Sequence, residues 1–336
     1  MNGSNRLPSK TIALYGAGIM SHVPYVTAAE VERLLDYPAL IEALRRGFTQ
    51  DLTVPVRHHY GIPLPSGEPE QTLLLMPAWD AGKAIGMKMV TVTPGNGPRH
   101  LPAVQGVYLL LDGLTGAPKA LIDGPALTAR RTAAASALAG DYLLRPDASR
   151  MLMVGAGALS VPLVEAHRAM RPIRAVQVWA RDPAKAAAKV AELVALGIAA
   201  EVATSLEQSA READLISCAT LSTVPLIQGD WLQPGTHLDL IGAYTPQMRE
   251  SDDRCVERAS LFVDTRAGAM KEGGDIVLPL AAGIITEASI QADLFDLTRK
   301  RHPGRRDAAE ITLFKSVGTA LEDFAAAQLI VQKLSH

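Results

Sequence analysis

The run Met151-Leu152-Met153-Val154-Gly155-Ala156-Gly157-Ala158-Leu159-Ser160 constrains this chain more than any other stretch. Four apolar residues read as a buried strand, the glycines as a tight turn, and residues 159–170 as a helix. Such a turn points the first, unpaired N–H groups of the helix, and the positive end of its dipole, at whatever lies above the strand. Gly155 permits the turn, and Gly157 lets the backbone approach a pyrophosphate. The third small position is Ser160, where Gly or Ala is usual. Strand before and helix after are the context this motif requires. They predict a dinucleotide site formed by Gly155, Ala156, Gly157, Ala158 and Leu159. A second such triplet, Gly16-Ala17-Gly18, is followed by Pro24 and by no strand at the right distance, and is not read as a cofactor turn.

The surrounding rhythm agrees. Strands are expected at residues 175–179, 214–219, 237–241 and 261–263, with a helix over 183–196, so this half reads as a doubly wound parallel sheet. The tip of its second strand is Trp179-Ala180-Arg181-Asp182. A carboxylate there holds a ribose 2′-hydroxyl and an arginine accepts a 2′-phosphate. Arg181 comes first, which favours NADP over NAD, with Asp182 as the NAD alternative. Both side chains could instead merely solvate a loop.

The N-terminal half is mixed. Residues 27–48 have helical periodicity, with Thr27 and Glu30 at capping-box spacing. Extended runs follow at 54–62, 73–76, 84–93 and 104–112, suggesting a mainly antiparallel sheet. Pro94-Gly95-Asn96-Gly97-Pro98 reads as an irregular loop. Residues 124–144 read as one long Ala-rich helix stopped by Pro146 and bridging the two halves, and residues 313–334 as a terminal helix. Residues 1–23 are expected to be an extension.

Composition narrows the class. With 33 Lys+Arg against 35 Asp+Glu the net charge is −2, and 48% of residues are apolar, so a globular fold is expected and a nucleic-acid partner is not. The two cysteines, Cys218 and Cys255, lie in no metal or disulfide spacing. They point to no metal site and to a reducing, cytoplasmic setting. Residues 11–29 lack charge, but their apolar core is short and interrupted by glycine and proline. A membrane span needs ~20 apolar residues, so no membrane partner is expected, with a signal peptide as the alternative.

Several short motifs carry a resemblance across nearly the whole chain. They are Val54-Pro55-Val56-Arg57, Gly86-Met87-Lys88, Leu127-Thr128-Ala129-Arg130-Arg131-Thr132-Ala133-Ala134, the Gly155 turn, Cys218-Ala219-Thr220, and Phe314-Lys315-Ser316-Val317-Gly318 with Ala320-Leu321-Glu322-Asp323. Together they resemble the ornithine cyclodeaminase/mu-crystallin family, which includes ketimine reductases, pyrroline-2-carboxylate reductases and an alanine dehydrogenase branch. The resemblance implies a homodimer in which a Rossmann domain (131–310) is inserted into an α+β substrate-binding and dimerisation domain (24–130 plus 311–336). It implies that Arg57, Lys88 and Arg131 hold a substrate carboxylate. It also places Thr132, Thr220, Ser316 and Gly318 against the cofactor. The competing reading is that each cation pairs with an internal Asp or Glu.

Two departures choose among activities. The cyclodeaminase branch has an Asp where this chain has Tyr244, and a Glu where it has Leu74. A diamine tail would then be buried without a partner, so ornithine or lysine cyclisation is disfavoured. The expected reaction is NAD(P)H-dependent reduction of a C=N bond next to a carboxylate, as in pyrroline-2-carboxylate to L-proline. Lys88 and Tyr244 are both candidates for the proton donor. Tyr244 could equally be a pocket wall, and His58, His59 and His100 are read as surface or hydrogen-bonding residues. Alternatives are an alanine-type dehydrogenase or iminosuccinate-like reductase on a linear substrate, and a non-catalytic NADP(H)-binding protein.

Overall fold

The computed structural model describes residues 23–335; the Gly16 triplet and nearly all of the expected extension lie outside the described residues. After β1 (Tyr25–Val26), Thr27 caps α1 (Ala28–Leu34). The Thr27 side chain accepts from the Glu30 amide while the Glu30 carboxylate accepts from the Thr27 amide, as the spacing predicts. The single helix expected over 27–48 is two. Asp36 caps a second, α2 (Tyr37–Thr49), with Pro38 in its first turn, where a missing N–H costs nothing.

Five strands follow: β2 (His58–Ile62), β3 (Gln71–Asp80), β4 (Ala84–Val92), β5 (Val104–Asp112) and β6 (Pro118–Asp123). They pair antiparallel in sequence order, and β1 adds to β6 in parallel. β6 was not foreseen, and Pro94–Arg99 forms a 3-10 stretch where an irregular loop was expected. On β4 the buried residues alternate, so Ala84, Gly86, Lys88 and Val90 face inward. Lys88 therefore points into the core.

Helix α3 (Gly124–Leu143) crosses between the layers, and the expected domain boundary at 130/131 falls inside it. The second half contains β7 (Arg150–Val154), α4 (Ser160–Met170), β8 (Ala175–Trp179), α5 (Pro183–Ala195), β9 (Ala200–Val202), α6 (Leu206–Glu212), β10 (Leu215–Cys218) and β11 (His237–Leu240). It continues through α7 (Asp253–Arg258), β12 (Ser260–Val263), α8 (Arg266–Glu272), α9 (Gly274–Ala281), β13 (Ile290–Asp293), α10 (Leu294–Thr298), β14 (Thr312–Lys315) and α11 (Ala320–Leu334). Its eight strands form a parallel sheet in the order β13-β12-β14-β11-β10-β7-β8-β9. The fold is thus α/β with the expected doubly wound sheet. β14 corrects both the helix expected from 313 and the boundary at 311, because residues 312–315 sit inside the parallel sheet between β11 and β12. All four are buried, and a short run buried on both faces has no alternation to separate strand from helix.

The middle of α3, residues 131–140, is buried all round, and its alanines let neighbours pack close to its backbone. One polar knot fixes it to the parallel sheet. Ser136 and Ser217 each donate to Asp239 Oδ2, at 2.6 and 2.7 Å, and His167 Nε2 lies 2.8 Å from Ser136 Oγ. Burial works to raise the Asp239 pKa, but the His167 contacts and the Ser136 bond hold it below the usual carboxylate range. Asp239→Ala should destabilise the protein by about 3 kcal/mol, because it strands buried donors. Urea unfolding against the parent checks this; a loss within experimental error would remove the knot's structural role.

Candidate active site

The strands β7, β10, β11, β14 and β12 end level with one another, pairing Val154 with Cys218, Cys218 with Leu240, Leu240 with Lys315 and Lys315 with Val263. Their following loops therefore share one edge. The order reverses at β7, between β10 and β8, and open α/β sheets bind ligands in the crevice at such a switch point. Gly155 lies there with φ +119°, and a Cβ on it would sit 2.6 Å from the Ala219 carbonyl. Only glycine meets both conditions. A Cβ on exposed Gly157 would meet nothing within 4 Å. α4 begins just beyond with no side-chain cap; Ser160 N donates back to the Gly157 carbonyl and Pro162 has no N–H, which leaves the Val161 amide unpaired in this turn among the described residues. Ser160 is buried and donates to the carbonyls of Gly155 at 2.9 Å and Gly157 at 3.0 Å. The departure from a third Gly or Ala thus braces the turn. These features fit a pyrophosphate.

Across the crevice the loops are held by buried carboxylates that the sequence reading assigned no role. Glu250 accepts from the Thr220 amide and hydroxyl with one oxygen and from the Gly242 and Ala243 amides with the other. Burial raises its pKa, against the opposing influence of Lys315. Asp264 Oδ2 accepts from Ser316 Oγ, Val317 N and Gly318 N at 2.9, 2.8 and 2.7 Å. These bonds fix Thr220, Ser316 and Gly318 in one edge. Thr132 is buried next to Arg131 on α3.

Gly318, at φ +80°, is where the expected cations meet this edge. A Cβ there would lie 2.5 Å from Arg131 Nη1. Arg57 Nη2 donates to the carbonyls of Val317 and Gly318 at 3.1 and 2.7 Å. All three cations also have internal carboxylates, the alternative left open above. Arg57 pairs with Glu272 at 2.9 Å, Lys88 with Asp323 at 2.7 Å, and Arg131 with both Glu322 (2.5 Å) and Asp323 (3.0 Å). Burial, and then Arg131, lower the Lys88 pKa to about 8. Burial raises that of Glu322 to about 7, outweighing Arg131. Glu322 is thus part-protonated near neutral pH, which reduces the negative charge set against Lys88 and Arg131. That arrangement favours an incoming anion.

A cavity of about 230 Å³ opens beside Arg57, walled by residues including Val56, Met76, Phe295 and Gly318. At the other end of the crevice, Arg181 is exposed and has no protein partner among the described residues, while Asp182 caps α5 through the Ala184 amide. Tyr244 is 39% exposed and follows the Glu250-held amides, whereas Lys88 is buried. Leu74 is half-buried on β3. His58, His59 and His100 are exposed, and His58 bonds Tyr60. Cys218 is fully buried with its thiol pKa pushed up, which suits packing. Among the described residues no His/Cys/Asp/Glu cluster is placed to hold a metal, and no helix is long and apolar enough to cross a membrane.

The missed carboxylates left little trace in the sequence. Glu322 and Asp323 stand in the Ala320–Asp323 motif without an assigned role, and the structure places them in the first turn of α11 after the Thr319 cap. Glu250 and Glu272 lie in ordinary polar segments.

With this geometry in place, comparison with known proteins is decisive. The model of the ornithine cyclodeaminase/mu-crystallin family matches residues 9–336. The chain belongs to this family. It is 40% identical over 304 residues to a Delta(1)-pyrroline-2-carboxylate reductase of Paracoccus denitrificans, covering 90% of this chain and 94% of that one. It is 32% identical over 321 residues to the ketimine reductase mu-crystallin of Macropus fuliginosus, covering 93% and 97%. Among solved structures of the family, Delta(1)-pyrroline-2-carboxylate reductase of Thermococcus litoralis in complex with NADH and L-proline superposes with a TM-score of 0.87. That match is 32% identical and covers 93% of this chain and 98% of that one.

Because the folded Glu322 pKa lies above its ordinary 4.5, its contribution is fully present below 4.5 and is lost as pH rises to about 7. The loss is up to about 3 kcal/mol at 1.36 kcal/mol per unit. Glu322→Gln imitates the protonated acid and should lose less stability than the parent between pH 4.5 and 7. Parallel urea curves for the two proteins across that window would contradict this.

Proposed function

We propose that this protein is an oxidoreductase that uses a nicotinamide cofactor to reduce the C=N bond of a small imino acid, such as pyrroline-2-carboxylate, to the amino acid. The observation that carries this reading is the meeting of Arg57 and Arg131 at the Gly318 segment, with Lys88 joined to Arg131 through Asp323, at the edge that also presents the Gly155 turn. Relatives named for pyrroline-2-carboxylate and ketimine reduction, and a neighbour holding NADH and L-proline, support it. The absence of an acid at Leu74 and Tyr244 argues against cyclodeamination of a diamine.

When bound, reduced nicotinamide supplies the hydride. Gly155–Leu159 and the start of α4 would hold its diphosphate, and Thr132, Thr220, Ser316 and Gly318 would border its reactive end. Exposed Arg181 supports NADP, and the NADH neighbour supports NAD; we favour NADP slightly. The Arg57 fork and the charges of Arg131 and Lys88 would fix the substrate carboxylate and hence the C=N carbon. A lysine with its pKa near 8 is a serviceable proton source close to neutral pH. That favours Lys88 over the exposed Tyr244 as donor.

A homodimer is supported by the outer face of the antiparallel sheet. Register places Tyr60, Ile62, Leu73, Leu75, Met89 and Val107 on the face opposite Lys88, and Tyr60, Ile62 and Met89 are exposed there. Two buried free thiols fit a reducing setting such as the cytoplasm.

Nicotinamide oxidation with pyrroline-2-carboxylate tests the reaction. No oxidation across cyclic and linear imino acids with either cofactor would refute it, and a requirement for ammonia with a 2-oxo acid would move it to a linear substrate. Arg57→Leu should raise KM for the imino acid about 10- to 100-fold, the equivalent of a charged hydrogen bond, with unchanged cofactor affinity. Gly157→Val should fold normally yet bind cofactor at least ~10-fold more weakly, read by quenching of protein fluorescence. Arg181→Ala should weaken NADPH more than NADH.

A further inference from the structure

The cavity beside Arg57 contains a carboxylate that the reaction described above does not use. Glu272, in the last turn of α8, lines it with its Oε2 2.9 Å from Arg57 Nη2, and both side chains keep about 14% of their surface exposed. Arg57 is engaged only through Nη2, by Glu272 and the carbonyls of Val317 and Gly318; Nε and Nη1 have no partner among the described residues. The guanidinium is thus anchored at one nitrogen, and Nη1 and Nε keep donors free. The rest of the wall is largely apolar, including Val54, Pro55, Met76 and Phe295, with Lys271 at the rim. At about 230 Å³ the space is smaller than the ~300 Å³ at which drug-sized pockets begin, which suits a small metabolite.

A carboxylate accepting from Arg57 Nη1 lies beside Glu272, which is held on the neighbouring Nη2. In an imino acid with C=N next to the carboxylate, the nitrogen is two bonds from the carboxyl carbon. Fixing the carboxylate on Arg57 therefore brings the nitrogen within reach of Glu272. Adjacent Arg and Glu complement a molecule whose anion and cation are themselves adjacent, and neither Tyr244 nor Leu74 offers the nitrogen a charge.

We infer that Glu272 is the nitrogen-binding carboxylate of this enzyme, pairing with the protonated C=N of the substrate and with the ammonium of the amino-acid product. The inference rests on the imino-acid reductase reading and adds the group that holds the substrate in its reactive, protonated form. Glu272 gives up no proton in this role; its charge favours the protonated imine, the better acceptor of a hydride. The charged groups that share the cavity with Glu272 are Arg57 and Lys271, both cationic.

The test separates nitrogen binding from simple support of Arg57. L-proline and cyclopentanecarboxylate share a ring and a carboxylate, and only proline carries the cationic nitrogen. With the protein saturated with oxidised cofactor, Glu272→Gln should weaken L-proline at least ~10-fold by calorimetry and leave cyclopentanecarboxylate within ~2-fold. Glu272→Asp should recover part of the proline affinity. In turnover, the pH above which kcat/KM falls should move down in Glu272→Gln, since an uncharged amide no longer favours the protonated imine. Equal weakening of both ligands, or an unshifted profile, overturns the inference and leaves Glu272 as a brace for Arg57. A parent protein that neither binds proline nor oxidises nicotinamide with any imino acid overturns the reductase reading itself.

Discussion

The pairing of Lys88 and Arg131 with Asp323 and Glu322 is the constraint on which the site depends. It joins a strand of the antiparallel sheet, the crossing helix and the C-terminal helix, and all four side chains are nearly or fully buried. Burying charge costs several kcal/mol per ion unless partners compensate it, so the four groups can exist here only together. α11 has to return to β4 and α3 after the entire parallel sheet has been built. Asp323 bridges both cations, and the raised pKa of Glu322 leaves them short of negative charge. The same groups that close the core keep a standing preference for an anion.

A similar economy governs the far side of the crevice. Glu250 gathers the backbone after β10 and β11, and Asp264 gathers the backbone after β14. In each case a buried carboxylate is satisfied by main-chain N–H groups, which do not swing as side chains do. Gly318 is positioned by backbone capture alone, while Thr220 and Ser316 add their own hydroxyls to it.

Much of this was legible from the residues. The Gly155 turn was readable because a strand and a helix flank it, and the Thr27–Glu30 box because its chemistry is local. The Arg57, Lys88 and Arg131 trio was readable through resemblance, which also implied the inserted sheet. The elements that escaped share a physical cause. β14 is buried on both faces and so lacks alternation, and β6 lies in the short stretch between the 104–112 run and the long helix, to which no element was assigned. The partner acids escaped because pairing is a property of three dimensions: Arg131 and Asp323 are 192 residues apart in sequence. Nothing local marks Glu272 as different from any acid at the end of an exposed helix.

Helix α3 has one more consequence. It runs unbroken between the layers, and its middle is wrapped by neighbours on every side and tied to Asp239. It is a member shared by both halves. The chain passes between them again where β14 hands over to α11, in the Ser316–Thr319 stretch that Arg57 and Arg131 touch. A change in the angle between the halves would register first at these two cations.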